Sequence, residues 1–143
     1  MRSKLRERLQ DPARSGVYRV TGDAEIMDAL KGHSPALHRI SLEGARSKDV
    51  LLDRFAQALK FPEWFGRNWD ALLDCLHDLS WIQANGHALL MTGSGSVPAN
   101  DLQTLKEILG TAAESWAKRD SSFFAIFVDA KRELDLPDLF RGA

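Results

Sequence analysis

The sequence has a single cysteine, Cys75, so an internal disulfide cannot form. No apolar run approaches the ~20 residues that a membrane-spanning helix needs. The first sixteen residues, MRSKLRERLQDPARSG, are basic but are not followed by an apolar stretch, so we expect no secretory signal. Nineteen basic and twenty acidic residues give a net charge of −1, so any electrostatic function must come from local patches. We therefore expect a soluble cytoplasmic protein in a reducing compartment.

The chain, 143 residues with 44% hydrophobic content, is long enough for one domain with a genuine core. We predict an N-terminal extension over residues 1–35 and a main domain over residues 36–143. The extension starts with a basic arm that could touch RNA or a protein, or could simply be a terminal turn. A short strand at 17–20 and a helix at 23–30 follow the arm.

The main domain alternates strand-like and helix-like segments. Apolar patterning predicts strands at 37–42, 87–91 and 123–128, and helices at 47–59, at 68–79 and from about residue 100. Strands joined by helical crossovers form parallel sheets with right-handed connections. The predicted fold class is therefore α/β, with a small three-stranded parallel sheet flanked by helices.

The segment FPEWFGRNWDALLDCLHDLSW, residues 61–81, carries an aspartate at every fourth position of its helical part. Helical spacing places the apolar residues on one side, for the core, and Asp70, Asp74 and Asp78 on the other, with Leu73 and His77 beside them. Like charges at this spacing cost roughly 0.2–0.5 kcal/mol per pair. The helix dipole favours only Asp70, so the other two indicate a purpose other than helix stability.

Two adjacent aromatic residues, Trp64 and Phe65, precede this helix in a loop too short to bury both. We expect at least one at the surface next to the aspartates, and such a combination is typical of a protein interface. Trp81 follows the helix, and two positions are possible for its side chain: at the rim of that interface, or covering the core at the helix end.

Other chemistries are weaker interpretations of the same residues. Aspartates on successive turns of one exposed helix offer no cleft for paired-carboxylate catalysis. Asp70, Asp74 and His77 come from one segment, whereas oxygen-rich metal sites draw ligands from several. The loop at 92–96 has glycines but neither the lysine nor the spacing of a phosphate-binding loop, and the four histidines show no ligand spacing. We expect no enzyme activity, no cofactor and no metal.

The run from Pro62 to Leu76, PEWFGRNWDALLDCL, resembles the barstar family, intracellular inhibitors of the ribonuclease barnase. The resemblance covers roughly residues 36–130. It implies an inhibitor whose loop and helix plug a ribonuclease active site, with Asp70 and Asp74 in place of RNA phosphates. It also implies that Trp64 stacks on the catalytic histidine of the enzyme, and that Gly66, Asn68 and Trp69 occupy contact positions.

The departures from the family pattern are Trp64 and Phe65 in place of tyrosines, Arg67 in place of a glutamate and Leu73 in place of a tryptophan. The partner-binding residues that we predict are Trp64, Phe65, Gly66, Asn68, Trp69, Asp70, Leu73, Asp74, His77 and Asp78. The expected partner is a barnase-like or toxin ribonuclease bound by a monomer, without direct nucleic-acid or membrane contact. The alternative function is an interaction or regulatory module of the same fold with a different partner.

Overall fold

The computed structural model describes residues 2–140 and contains one parallel sheet with helices on both faces. The strands are β1 (Gly16–Val20), β2 (Ala36–Ser41), β3 (His87–Thr92) and β4 (Phe123–Val128). The helices are α1 (Arg2–Leu9), α2 (Ala24–Leu30), α3 (Lys48–Leu59), α4 (Trp69–Asp78) and α5 (Ala99–Lys118). Short 3₁₀ turns lie at Pro12–Arg14 and Ser94–Ser96. The α/β class and the parallel sheet are as predicted.

The predicted number of strands is wrong, because the sheet has four strands in the order β1-β4-β3-β2. Strand β1 pairs in parallel with β4 over its whole length, from Gly16 opposite Phe124 to Val20 opposite Val128. Sequence patterning finds this strand but assigns it to the extension, because its partner lies at the other end of the chain. The division between residues 35 and 36 itself stays a prediction.

Helices α3, α4 and α5 cover one face of the sheet, and α1 and α2 cover the other. Along β4, Phe123, Ala125 and Phe127 pack into the first core cluster, whereas Phe124 and Ile126 pack into the second. Both faces of β4 therefore pack against apolar side chains. This explains why all the residues of β4 are apolar, with no polar residue at every second position.

The basic arm is a packed helix over its described part. Leu5 and Leu9 of α1 are buried in the second core cluster. Arg6 donates a hydrogen bond to the carbonyl of Ala29 at 3.0 Å, and Arg8 donates one to the carbonyl of Leu139. Two of the arm's arginines therefore serve the fold itself. Met1 and residues 141–143, the ends of the predicted extension and main domain, lie outside the described residues.

The C-terminal segment protects the outer edge of the sheet. The amide of Arg19 donates to the carbonyl of Pro137, and the carbonyl of Arg19 accepts from Leu139 at 3.0 Å. This pairing covers backbone groups that an edge strand would otherwise offer to another chain. Among residues 2–140, no helix has both the length and the apolar character needed to cross a membrane.

Candidate partner-binding face

Helix α4 presents one buried and one exposed side. Leu72, Cys75 and Leu76 are buried in the core. Asp70, Asp74 and Asp78, which we call the acidic face, are all exposed on successive turns. The helical periodicity of the sequence predicts this division. The acidic face is thus three carboxylates open to solvent on the outer side of one helix.

The start of α4 is fixed by the asparagine in front of it. Asn68 has extended backbone geometry, and its side-chain oxygen accepts a hydrogen bond from the amide of Ala71 at 2.7 Å. This N-cap satisfies one of the amides that a helix start leaves without a partner. The Asn68 side-chain nitrogen lies 3.4 Å from the carbonyl of Gly66, which is exposed. The cap therefore sets where the loop ends and the acidic face begins.

The loop between α3 and α4, residues 60–68, forms a small aromatic assembly that we call the aromatic loop. The Trp64 side chain is 61% exposed, whereas Phe65 is half-buried against the core. Phe65 meets the edge of Phe61 with ring centroids 4.9 Å apart, and Trp64 meets the edge of Trp81 at 6.4 Å. Of the two adjacent aromatics only Trp64 is strongly exposed, which meets the expectation that at least one of them lies at the surface.

Trp81 lies under this loop. Its indole nitrogen donates to the carbonyl of Leu59 at 2.9 Å, and its ring contacts both Phe61 and Trp64 edge-on. The residue is half-buried and packs against the core. Of the two places that the sequence leaves open for it, the contacts favour the structural one, in which Trp81 supports the aromatic loop.

The other end of α4 is held by α5. The indole nitrogen of Trp116 donates to the carbonyl of Leu76 at 2.7 Å. Arg119 donates to the carbonyl of His77 at 2.6 Å, and its guanidinium lies 3.9 Å from the centre of the Trp116 ring. These donors pair with carbonyls that lack a hydrogen-bond partner at the end of a helix. The positive charge of Arg119 is also favourable at the negative end of the helix dipole.

The remaining predicted residues are only partly accessible. Trp69, Leu73 and His77 are half-buried, and the first two pack against the core. The Nε2 atom of His77 is shielded from solvent and has no hydrogen-bond partner among residues 2–140. A groove of about 400 Å³ adjoins His77, and its other lining residues come from α5 and the residue that follows it: Thr111, Glu114, Ser115, Lys118 and Arg119. The exposed members of the predicted set are therefore the aspartates, Trp64, Gly66 and Asn68.

Cys75 lies on the buried side of α4, behind the acidic face. Burial raises the pKa of its thiol to about 11, and the negative charges of Asp74 and Asp78 act in the same direction. A thiol is nucleophilic only when deprotonated. The geometry therefore makes Cys75 an unreactive core residue.

Two histidines that sequence reasoning leaves scattered form a pair in the structure. His38 of β2 and His87 of β3 share a hydrogen bond, with Nε2 and Nδ1 3.0 Å apart. Burial lowers the pKa of both rings, and for His87, next to His38 and Arg119, the value falls to about 4. The His87 ring also contacts Trp116 at 5.1 Å between centroids. Only the register of β2 against β3, which a single sequence does not reveal, brings the two together.

The arrangement suits recognition of a cationic surface. Among residues 2–140, no group of three or more histidine, cysteine, aspartate or glutamate side chains is placed to hold a metal ion. Gly93, the first of the two glycines in the 92–96 loop, has φ of 74°, and an added Cβ would lie 2.8 Å from the amide of Glu43. A close backbone approach thus explains that glycine. What remains is an exposed row of carboxylates on α4 and an exposed indole in the loop that precedes this helix.

One comparison with known proteins matches a segment that includes this region. The model of the family described as barstar (barnase inhibitor) matches residues 36–129, well over half of the chain, including the aromatic loop and all of α4. A search of curated proteins gave no match. The matched segment runs from β2 to the residue after β4. On the extent of this match, the chain belongs to the barstar family.

Proposed function

We propose that this protein is an inhibitor that binds a barnase-like ribonuclease and blocks its active site with the acidic face and Trp64. The observation that carries the proposal is the acidic face itself, three exposed carboxylates on a helix whose two ends are both fixed. The family match supports the class of partner. Inhibition of this kind requires only binding, so the protein would act without catalysing a reaction.

The charge of the proposed surface matches that of a ribonuclease. An enzyme that cleaves RNA must attract phosphates, so its cleft is cationic. Carboxylates on successive turns of α4 would pair with those cations and compete with RNA for them. Complementary charge accelerates association and makes the rate sensitive to salt. We therefore expect fast binding that slows as ionic strength rises.

Trp64 would supply the apolar part of the contact. At 61% exposure its indole presents a large ring to a partner, while its contact with Trp81 restricts its position. A tryptophan that is ordered before binding loses little conformational freedom on association. The combination of an aromatic anchor with desolvated charges is typical of residues that dominate binding energy.

The test is titration of the protein against barnase-type ribonucleases, followed by both binding and RNA cleavage. The variant Asp70→Ala/Asp74→Ala should lose most of the inhibition, at about 2–5 kcal/mol for each carboxylate that pairs in the buried contact. The matched control is Glu7→Ala/Glu25→Ala, which removes the same charge from exposed positions on α1 and α2, across the sheet.

Tight inhibition by the wild type and the control, with weak inhibition by the aspartate variant, would support the proposal. Equal inhibition by all three proteins would show that the acidic face is not the contact surface. If the wild type bound none of the ribonucleases, the proposal would be wrong, and the alternative of an interaction module with another partner would be favoured.

A further inference from the structure

One cation interrupts the proposed surface. Arg67 is the single lysine or arginine among residues 61–81, a stretch that carries four acidic residues. It lies near the end of the aromatic loop, directly before the N-cap Asn68, and it is exposed. Its φ of 55° is in the left-handed region, which a non-glycine residue rarely adopts. A free guanidinium here would face any cationic partner with a charge of the same sign.

The guanidinium is held by the neighbouring helix. The Nη2 atom of Arg67 lies 2.5 Å from the Oδ1 atom of Asp53 on α3. Both side chains are partly open to solvent, at 58% for Arg67 and 42% for Asp53. The ion pair therefore joins α3 to the last residue before the cap of α4. Arg67 pairs with a carboxylate of α3 and not with a carboxylate of the acidic face.

We propose that Asp53 is a positioning residue for partner recognition, which holds Arg67 against α3 and neutralises it. This inference rests on the proposed function, since it concerns approach of a cationic protein to the acidic face. Like charges brought together across an interface oppose binding, and charges at the rim act mainly on the association rate. With the pair intact, the surface that meets the partner keeps the excess negative charge of α4.

A double-mutant cycle tests this inference through the rate of association with a barnase-type ribonuclease. Asp53→Asn should slow association by about two- to fivefold at low salt, a range that matches exposed ion pairs. In the Arg67→Gln background the same substitution should slow association clearly less, because only the charge of Asp53 is lost and no guanidinium is left to release. The slowing should shrink as salt is raised, since screening is strong beyond about 10 Å at 0.1 M.

Two further variants separate positioning from plain charge. Asp53→Glu keeps the charge and can still reach Arg67, so it should keep the wild-type rate. Asp49→Asn removes the same charge one turn earlier on α3, and it should slow association less than Asp53→Asn does. Circular dichroism and urea unfolding of each variant check that the fold is retained.

The outcomes distinguish this inference from the function on which it rests. If the wild type binds and Asp53→Asn slows association equally with and without Arg67, Asp53 is only one more negative charge and the inference is wrong. The same conclusion follows if Asp49→Asn has an equal effect. If the wild type binds no such ribonuclease, both the inference and the proposed function are overturned.

Discussion

Acid should destabilise this protein through the histidine pair, and His87 is the residue to perturb. Its side chain is 1% exposed and lies between His38 and Trp116. Two neutral rings can share one hydrogen bond, with one nitrogen donating and the other accepting. A proton added to His87 would place a charge in the core, where burial in the first place, and then the neighbouring His38 and Arg119, lower the pKa of this ring.

The sign and size of the effect follow from that pKa. The value falls from 6.5 for an unperturbed histidine to about 4 in the folded protein. Well above pH 6.5 His87 is neutral in both the folded and the unfolded protein, so it contributes no pH dependence to the free energy of unfolding. Below it the unfolded chain takes up the proton and the folded protein does not, so stability falls until the pH reaches about 4. Each pH unit in this window is worth about 1.4 kcal/mol, which gives a loss of about 3–4 kcal/mol over the whole window.

Urea unfolding at several pH values between 7.5 and 4.5 measures this loss. The variant His87→Gln keeps a hydrogen-bonding side chain but does not titrate, so its free energy of unfolding should fall by about 2–3 kcal/mol less than that of the wild type over this range. His33→Gln is the control, because His33 is exposed, and it should follow the wild-type profile. Parallel profiles for the wild type and His87→Gln would refute the argument.

Three smaller predictions concern α4. Asn68→Ala should lower the free energy of unfolding by about 1 kcal/mol, because the amide of Ala71 loses its cap; an unchanged urea midpoint would contradict this. Trp116→Phe should cost about 1–3 kcal/mol by leaving the carbonyl of Leu76 without its donor, and a cost well below this range would show that the bond adds little. Cys75 should react with a thiol reagent at pH 8 only slowly until urea unfolds the chain, since burial raises its pKa to about 11; rapid reaction of the native protein would argue against a buried thiol.

Helix α4 is the part of the molecule that the sequence predicts best. Its signals are local: a capping residue at Asn68, apolar residues at helical spacing and acidic residues between them. The observed helix, Trp69–Asp78, begins just after the predicted cap and ends at Leu79, which takes a left-handed conformation with φ of 47°. The exposure of the aspartates follows from the same periodicity. Their role in binding stays a prediction.

What sequence reasoning misses depends on contacts between distant segments. The pairing of β1 with β4 joins the two ends of the chain, and the approach of His38 to His87 depends on strand register. The ion pair between Arg67 and Asp53 crosses from one helix to the start of the next. Sequence periodicity predicts whether a side chain is buried or exposed, but it does not predict which residue the side chain contacts. None of these pairs can therefore be found from the periodicity.

The repulsion between the like charges of the acidic face is opposed by the interactions that hold α4 in place. Two aspartate pairs one turn apart cost roughly 0.4–1 kcal/mol together. Burial of Leu72 and Leu76 contributes about 1.5–3 kcal/mol for each side chain. The caps at Asn68 and Trp116 add to this at the two ends. Because the buried side outweighs the repulsion, the helix keeps the three carboxylates at fixed spacing before any partner arrives. A cationic partner then meets a surface that needs little ordering, and relief of the repulsion adds to its binding.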